Sequence, residues 1–252
     1  MTRLQVSPPL LCLLPGLALV PVLTVVTRSF HGGGVETWWQ FLQGAFHPSL
    51  DPALLQSLSS GLQVTVATAL MGWGLSIVLG TVLGVISSDV VWTSFGLTTA
   101  PARILRMATA LPRAVHELLW GLLLLQVVGL HPWVAIAAIA IPYGALVARV
   151  LRDQIDSIDR QTLNAILQCG AGAPAALLTA LLPPVQPILL SYGGYRLECA
   201  LRSATLLGVF GLGGIGTELK LTLQSLQFSE FWTGLWLLMA LSVVLEQLLG
   251  LW

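Results

Sequence analysis

Of 252 residues, 56% are hydrophobic and only 9% are charged, and eleven Lys and Arg balance eleven Asp and Glu. A soluble domain carries about 25% charged residues, so this composition points to an integral membrane protein and excludes a disordered chain, while the balanced charge excludes a nucleic-acid binder. Three cysteines, an odd number, exclude a disulfide scaffold, and Cys12, Cys169 and Cys199 are expected as free thiols.

A bilayer-crossing helix needs about 20 mainly apolar residues. Six stretches qualify, so the expected fold is all-α and polytopic, one transmembrane domain over 1–252. The first span runs from about Leu10 to Val26. Arg3 and the apolar run after it have the outline of a secretory signal. Pro15 and Pro21 interrupt that run, and Arg28-Ser29-Phe30 is a poor cleavage site, so a retained helix is expected. Thr27 to Gln56 reads as a wet outer loop with His31 and His47 in it. The second span lies between Ser60 and Ser87, and its Gly80-xxx-Gly84 pair permits close helix contact. The third runs from Ala114 to Gly129 and the fourth from Trp133 to Val150, with a turn at Gly129-Leu130-His131-Pro132. The fifth runs from Pro187 to Val209 and the sixth from Phe231 to Leu249. Between those last two, Gly211-Leu212-Gly213-Gly214-Ile215-Gly216 ends the helix and turns the chain back over the outer surface. No Lys-Ser/Thr follows these glycines, so they are not a nucleotide loop.

Lys and Arg concentrate on cytoplasmic segments. With the N-terminus inside, the inner segments hold Arg3, Arg103, Arg106, Arg113, Arg149, Arg152 and Arg160, and the outer ones only Arg28 and Lys220. Both termini are then cytoplasmic. Trp38, Trp39, Trp133 and Trp232 fall at the outer interface, Trp92 and Trp252 at the inner one.

The inner connection, about 151–186, opens with mixed charges that suit a solvated helix end. A short amphipathic helix follows, with Ser157 or Asp159 as N-cap and Leu163, Ile166 and Leu167 on one face. Gly170 and Gly172 end it. Pro174 starts a second short helix, which Leu182-Pro183-Pro184 closes. Such a helix pair is shaped to dock in a groove on a partner, or to lie on the membrane surface.

Within it, Asn164-Ala165-Ile166 is followed after three residues by Gly170, and Leu182-Pro183 stands twelve residues further on. This resembles the inner-loop motif of binding-protein-dependent ABC importer permeases, which reads Glu-Ala-Ala, three residues, Gly, nine residues, Ile, one residue, Leu-Pro. Asn164 stands where that motif has Glu, and Ala180 where it has Ile. The segment from Tyr195 to Gly208, its continuation from Val209 to Leu219, and Leu111-Pro112-Arg113 through Trp120 are similar to the phosphonate/phosphite-type permeases of that family. The resemblance implies the type I importer permease fold and a bacterial inner-membrane location. It implies that Asp159, Leu163, Asn164, Ala165, Ile166, Leu167, Gly170, Leu182 and Pro183 form the ATPase-coupling region. Two copies of the chain, two cytoplasmic ATPase subunits that carry ATP and Mg, and a periplasmic substrate-binding protein complete the expected assembly. No cofactor, metal or catalytic set is expected on this chain.

Arg196, Glu198 and Arg202 lie 9 to 15 residues into the fifth span, about 13 to 22 Å deep at 1.5 Å per residue. A charge at that depth costs at least ~2.5–3.5 kcal/mol and must face protein, water or an opposite charge. Glu198 and Arg202 are four apart and can pair, with Tyr195 and Thr205 on their face. Arg196 lies nearly opposite, with Tyr192 and Ser203 on its side. Two readings follow: a self-neutralising pair that locks helices, or guanidinium groups lining an anion path. Under the second, Arg196, Glu198, Arg202, Ser203 and Thr205 form the substrate pathway of a phosphonate or phosphite importer. The alternatives are a permease for phosphate, methionine or another small solute, and a secondary carrier or scaffold without an ATPase. His116, alone beside Glu117, reads as an interfacial residue rather than a ligand.

Overall fold

The computed structural model of the protein describes residues 32–250, together with 16, 19–21 and 23–25. Most of the first predicted span, with Arg3, Cys12, Arg28, His31 and Trp252, lies outside them. Among the described residues the chain is helical throughout: α1 Gly32–Phe46, α2 Pro52–Ile86, α3 Asp89–Ser94, α4 Ala100–Ala114, α5 Glu117–Val128, α6 Pro132–Ser157, α7 Arg160–Gln168, α8 Ala173–Leu207, a π turn at Gly208–Leu212, α9 Ile215–Gln224 and α10 Phe228–Leu249. Four of these are long and apolar enough to cross a membrane: α2, α6, α8 with its π turn, and α10. In hydrocarbon every backbone N–H and C=O needs an internal partner, and a helix supplies them all.

The third predicted span is corrected. Ala114 ends α4 and Glu117–Val128 forms α5, and the two together are apolar enough to count as one span, but one bent by 88°. Pro112 falls in the last turn of α4, Val115 is extended, and the His116 side chain caps α5 by accepting from the Leu118 N–H at 3.3 Å. A proline, a break and a new cap in six residues make one straight span unattainable.

The predicted outer loop contains a helix, α1, which its run of glycines concealed. Its aromatic face packs on the start of α10: Phe41 meets Phe228, Phe231 and Trp232 at ring separations of 5.6, 5.8 and 5.2 Å. The indoles of Trp232 and Trp236 donate to the carbonyls of Phe41 and Ala45.

Proline also misled at Leu182-Pro183-Pro184. The second short helix does not close there but continues as α8, 35 residues with Pro183, Pro184 and Pro187 inside it. Those prolines each delete a backbone donor. The helix persists because Ala180, Leu181 and Val185 are anchored in an apolar cluster with Val90, Leu151, Ile155, Leu163 and Ala176. At 1.5 Å per residue α8 is about 52 Å long, well beyond a ~30 Å hydrocarbon core.

The expected glycine break is present. Gly211, Gly213 and Gly214 take φ values of 94°, 90° and 87°, open to glycine at little cost. The chain turns there into α9, and Thr65 on α2 receives it, accepting from the Ile215 N–H at 2.9 Å while donating to the Gly61 carbonyl at 3.0 Å.

The central contact is between α2 and α6, which run parallel. Thr65, Ala69, Gly72, Ser76, Gly80 and Gly84 form a buried stripe of small residues along α2. Gly72 lies on Ile139, Gly80 on Gly144 and Val147, and Gly84 on Ala148 and Leu151. The predicted glycine pair is thus two steps of a longer seam. α8 runs antiparallel to both, the Trp73 indole donating to the Gly193 carbonyl at 2.8 Å. One end of the bundle gathers α1, α9 and the starts of α2, α6 and α10; the other gathers α3, α4 and α7.

A Cβ on Gly80 would meet Val147 Cβ at 2.5 Å and the Gly144 carbonyl oxygen at 2.8 Å, whereas one on Gly74 meets nothing within 4 Å. Gly80→Leu is therefore expected to destabilise the bundle by about 1–3 kcal/mol or more, with Gly74→Leu neutral. Thermal unfolding of both variants in mild detergent checks this.

Candidate functional site

At mid-bundle, polar side chains from α5, α6 and α8 meet inside an apolar cluster that includes Ala69, Ala138, Ile139, Ala200, Ala204 and Leu207. Ser203 on α8 donates to Glu117 Oε1 at 2.8 Å. The Tyr143 hydroxyl lies 2.9 Å from Ser203 Oγ and 3.4 Å from the same carboxylate oxygen. With Ser203 donating to the carboxylate, Tyr143 donates to Ser203, and the chain of hydrogen bonds is complete. Tyr143 and Ser203 are buried. His116 Nε2 stands 3.5 Å from the other carboxylate oxygen. Glu117 can be there because α5 begins at that point, with its N-terminal dipole favouring a negative charge.

The other face of Tyr143 carries Arg196. Its guanidinium carbon lies 5.0 Å from the Tyr143 ring centre, 4.9 Å from that of Tyr192 and 5.5 Å from that of Tyr195. Arg196 Nε and Nη2 both donate to the Tyr192 hydroxyl, at 2.8 and 2.5 Å. Among the described residues no carboxylate pairs with Arg196. Three aromatic faces hold the cation without cancelling its charge. Tyr192 and Tyr195 also line a cavity of about 420 Å³, with Val150, Pro187, Ile188 and Ser191, on the α7 side of this centre.

Of the five residues predicted for the pathway, the structure brings Arg196 and Ser203 to this centre, joined through Tyr143. The other three lie elsewhere on α8. Arg202 pairs with Glu198, as their spacing predicts, and the Arg202 side chain is 60% exposed. Arg202 and Thr205 line a separate cavity of about 530 Å³ against Leu235, Leu238, Met239 and Ser242 of α10. Tyr143 and Glu117 were missed as site residues. The available signal was a lone polar tip inside the apolar run of α6 and a carboxylate inside the third predicted span.

At the α7 end, Asp159 caps α7, its carboxylate accepting from the Gln161 N–H at 3.1 Å. Ser157 instead donates to the Gln154 carbonyl at 2.9 Å. Gly170, with φ 87°, ends the helix. The apolar face of α7 is not offered to a partner: Leu163 is buried, and Ile166 and Leu167 pack beside it on the end of α6 and the start of α8. What α7 presents outward is Gln161, Asn164, Ala165 and Gln168. Leu182 and Pro183 are exposed, one turn from the cluster. Asp156 at the end of α6 ties this region to α3, accepting from Ser88 Oγ at 2.6 Å and from the Val90 N–H at 3.3 Å. Arg106 of α4 adds an ion pair to Asp89 and a bond to the Ser87 carbonyl.

Residues 80–251 match the family described as binding-protein-dependent transport system inner membrane component. The chain is 26% identical over 206 residues to a putative phosphite transport system permease, HtxC, of Stutzerimonas stutzeri, which covers 80% of this chain and 70% of that protein. It is 29% identical over 180 residues to the phosphite transport system permease PtxC of the same organism, covering 69% of this chain and 64% of that one. A putative cryptic phosphonate transport permease of Escherichia coli K12, PhnE2, is 34% identical over 85 residues, 34% of this chain and 70% of the relative. Two solved folds are similar: the MetNI methionine ABC transporter, with a TM-score of 0.66 at 19% identity over 80% of this chain and 96% of that one, and an amino acid ABC transporter, with 0.65 at 17% over 78% and 92%.

Removing Ser203 leaves Glu117 and Tyr143 each short of a partner in an apolar surround. Ser203→Ala is expected to lose about 1–3 kcal/mol of stability, read from the unfolding midpoint in detergent. Ser229→Ala, at the start of α10, serves as control.

Proposed function

The chain belongs to the binding-protein-dependent transport system inner membrane component family, and from that premise we propose that it is the permease subunit of an ATP-driven importer for a phosphorus oxyanion, phosphite or phosphonate. The observation that carries the substrate class is Arg196: a guanidinium at mid-bundle whose charge no carboxylate of the described residues cancels. An anion with several oxygens is the ligand such a donor fork suits. The names of the phosphite and phosphonate relatives agree with it.

Energy enters from outside the chain in this reading. Two ATPase subunits sit against α7, which faces the cytoplasm because Arg106, Arg149, Arg152 and Arg160 gather at that end. Two copies of the chain face each other across the pathway, and a substrate-binding protein docks at the α1 and α9 end. The complex resides in the bacterial inner membrane with both termini of the chain cytoplasmic. ATP and Mg belong to the ATPases.

The route of coupling is mechanical. The polar face of α7 receives the ATPase, with Asn164 and Ala165 at its exposed centre. Leu163, Ile166 and Leu167 couple α7 to the base of α8. From Ala173 to Arg196 is about 35 Å of helix, so a tilt of α7 is carried to the polar centre. Closure of the ATPases then opens the outer end to substrate, and hydrolysis restores the inward-facing state.

The decisive measurement is ATPase activity in lipid nanodiscs of the chain with its co-expressed ATPase and binding protein. Phosphite, methylphosphonate, aminoethylphosphonate, phosphate and methionine are added in turn. Stimulation by phosphite or a phosphonate, dependent on binding protein, is expected; stimulation by methionine or phosphate alone, or no co-purifying ATPase, would falsify the reading. Ala165→Trp, a bulky group on the exposed face of α7, is expected to lower ATPase recovery in pull-downs by about 10-fold while the unfolding midpoint stays unchanged.

A further inference from the structure

Arg196 and Arg202 both sit in α8, but their surroundings differ in kind. Arg202 is held by Glu198 one turn below, so that pair carries no net charge. Arg196 keeps its charge. Its fork of Nε–H and Nη2–H, the edge with which a guanidinium takes two oxygens of an oxyanion, is filled by one neutral group, the Tyr192 hydroxyl. Two donors converge on a single phenol oxygen. An oxyanion offers two charged acceptors to the same edge, and charge-assisted bonds are about twice as strong as neutral ones.

The position of Tyr192 matters as much as its hydroxyl. Tyr192 and Tyr195 line the cavity of about 420 Å³, while Arg196 does not. The two rings, 6.3 Å apart, line that space and both meet the guanidinium. The Tyr192 ring therefore lines the cavity while its hydroxyl occupies the cation's binding edge. The Tyr143 ring also meets the guanidinium, its hydroxyl fixed by Ser203 and Glu117.

We propose that Tyr192 is an internal stand-in for the transported oxyanion: its hydroxyl holds the binding edge of Arg196 until an anion displaces it, and returns to that edge to release the anion. Arg196, not Arg202, is the anion contact. This rests on the oxyanion-importer reading above and deepens it. The device keeps affinity low without abolishing attraction, because every anion bound must break the Tyr192 bonds and every anion released regains them. It also shields a permanent membrane cation from nonspecific anions when no substrate is present.

The test is binding, measured apart from transport. Phosphite and methylphosphonate are titrated against the full chain in lipid nanodiscs, and affinity is read from broadening of the phosphorus NMR line. Tyr192→Phe, which keeps the ring and removes the hydroxyl, is expected to bind about 2- to 10-fold tighter than wild type. Phosphite and methylphosphonate uptake by that variant should show a lower KM with a lower kcat. Arg196→Gln should weaken binding more than about 10-fold, and the Glu198→Gln/Arg202→Gln double variant should bind within about 2-fold of wild type. Arg196→Lys, which keeps charge but lacks the fork, takes the place of Arg196→Gln if the latter fails to assemble, and should also weaken binding. Equal or weaker binding by Tyr192→Phe overturns the proposal. So does binding retained in the Arg196 variants, or absent in wild type and Tyr192→Phe alike. If this pattern of binding holds but the wild-type complex takes up no phosphorus oxyanion, the importer reading fails and the Tyr192 assignment stands. If uptake proceeds without the pattern, the reverse is true.

Discussion

Close approach of α2 and α6 is the constraint on which the rest of the bundle rests. Lipid chains are as apolar as leucine, so helices in a bilayer gain little from burying leucine against leucine. They gain from backbones brought near enough for dispersion contacts along their whole length. The stripe from Thr65 to Gly84 gives α2 almost no side-chain bulk on that face, and Ile139, Gly144, Val147 and Ala148 of α6 fill it. The seam fixes α6, and α6 in turn presents Tyr143 to α8 at one level and Leu151 and Ile155 to α7 and α8 at another. Polar centre and inner cluster are thereby set at a defined distance from each other.

The placement of charge follows from the low dielectric around that frame. Glu117, at the start of α5, is held by the helix N-terminus, Ser203 and Tyr143. Arg202 is matched by Glu198. Arg196 alone of the α8 charges is met only by aromatic faces and a phenol oxygen. Three aromatic rings and the Tyr192 hydroxyl accommodate the charge of Arg196 and leave it uncancelled. That combination distinguishes Arg196 from the ion pair in the same helix.

The length of α8 connects the inner cluster to the polar centre. A helix broken at Pro183 and Pro184 would divide the inner cluster from the membrane span. A continuous one carries the position of α7 to Tyr192 and Arg196 with little slack. Asp156 and Arg106 brace the same region from α3 and α4, and the outward face of α7 is largely polar.

The amino-acid sequence by itself determined the membrane class, the spans at α2, α6, α8 and α10, the glycine turn after α8, the turn at His131-Pro132 and the Glu198–Arg202 pair. Each depends on hydropathy or on spacing within one helix, and both are local. It also carried, through Gly170, Leu182-Pro183 and the Tyr195 to Leu219 segment, the resemblance that the family match confirms. Tertiary structure alone decided the rest. The bend before Glu117 needs the core that accepts its carboxylate, and the passage of α8 through three prolines needs Leu181 and Val185 anchored in a cluster. The inward turn of Leu163 on α7 needs a site built by α6 and α8. Which arginine stays uncancelled depends on Tyr143, more than fifty residues away in the chain, and no spacing within α8 contains that contact.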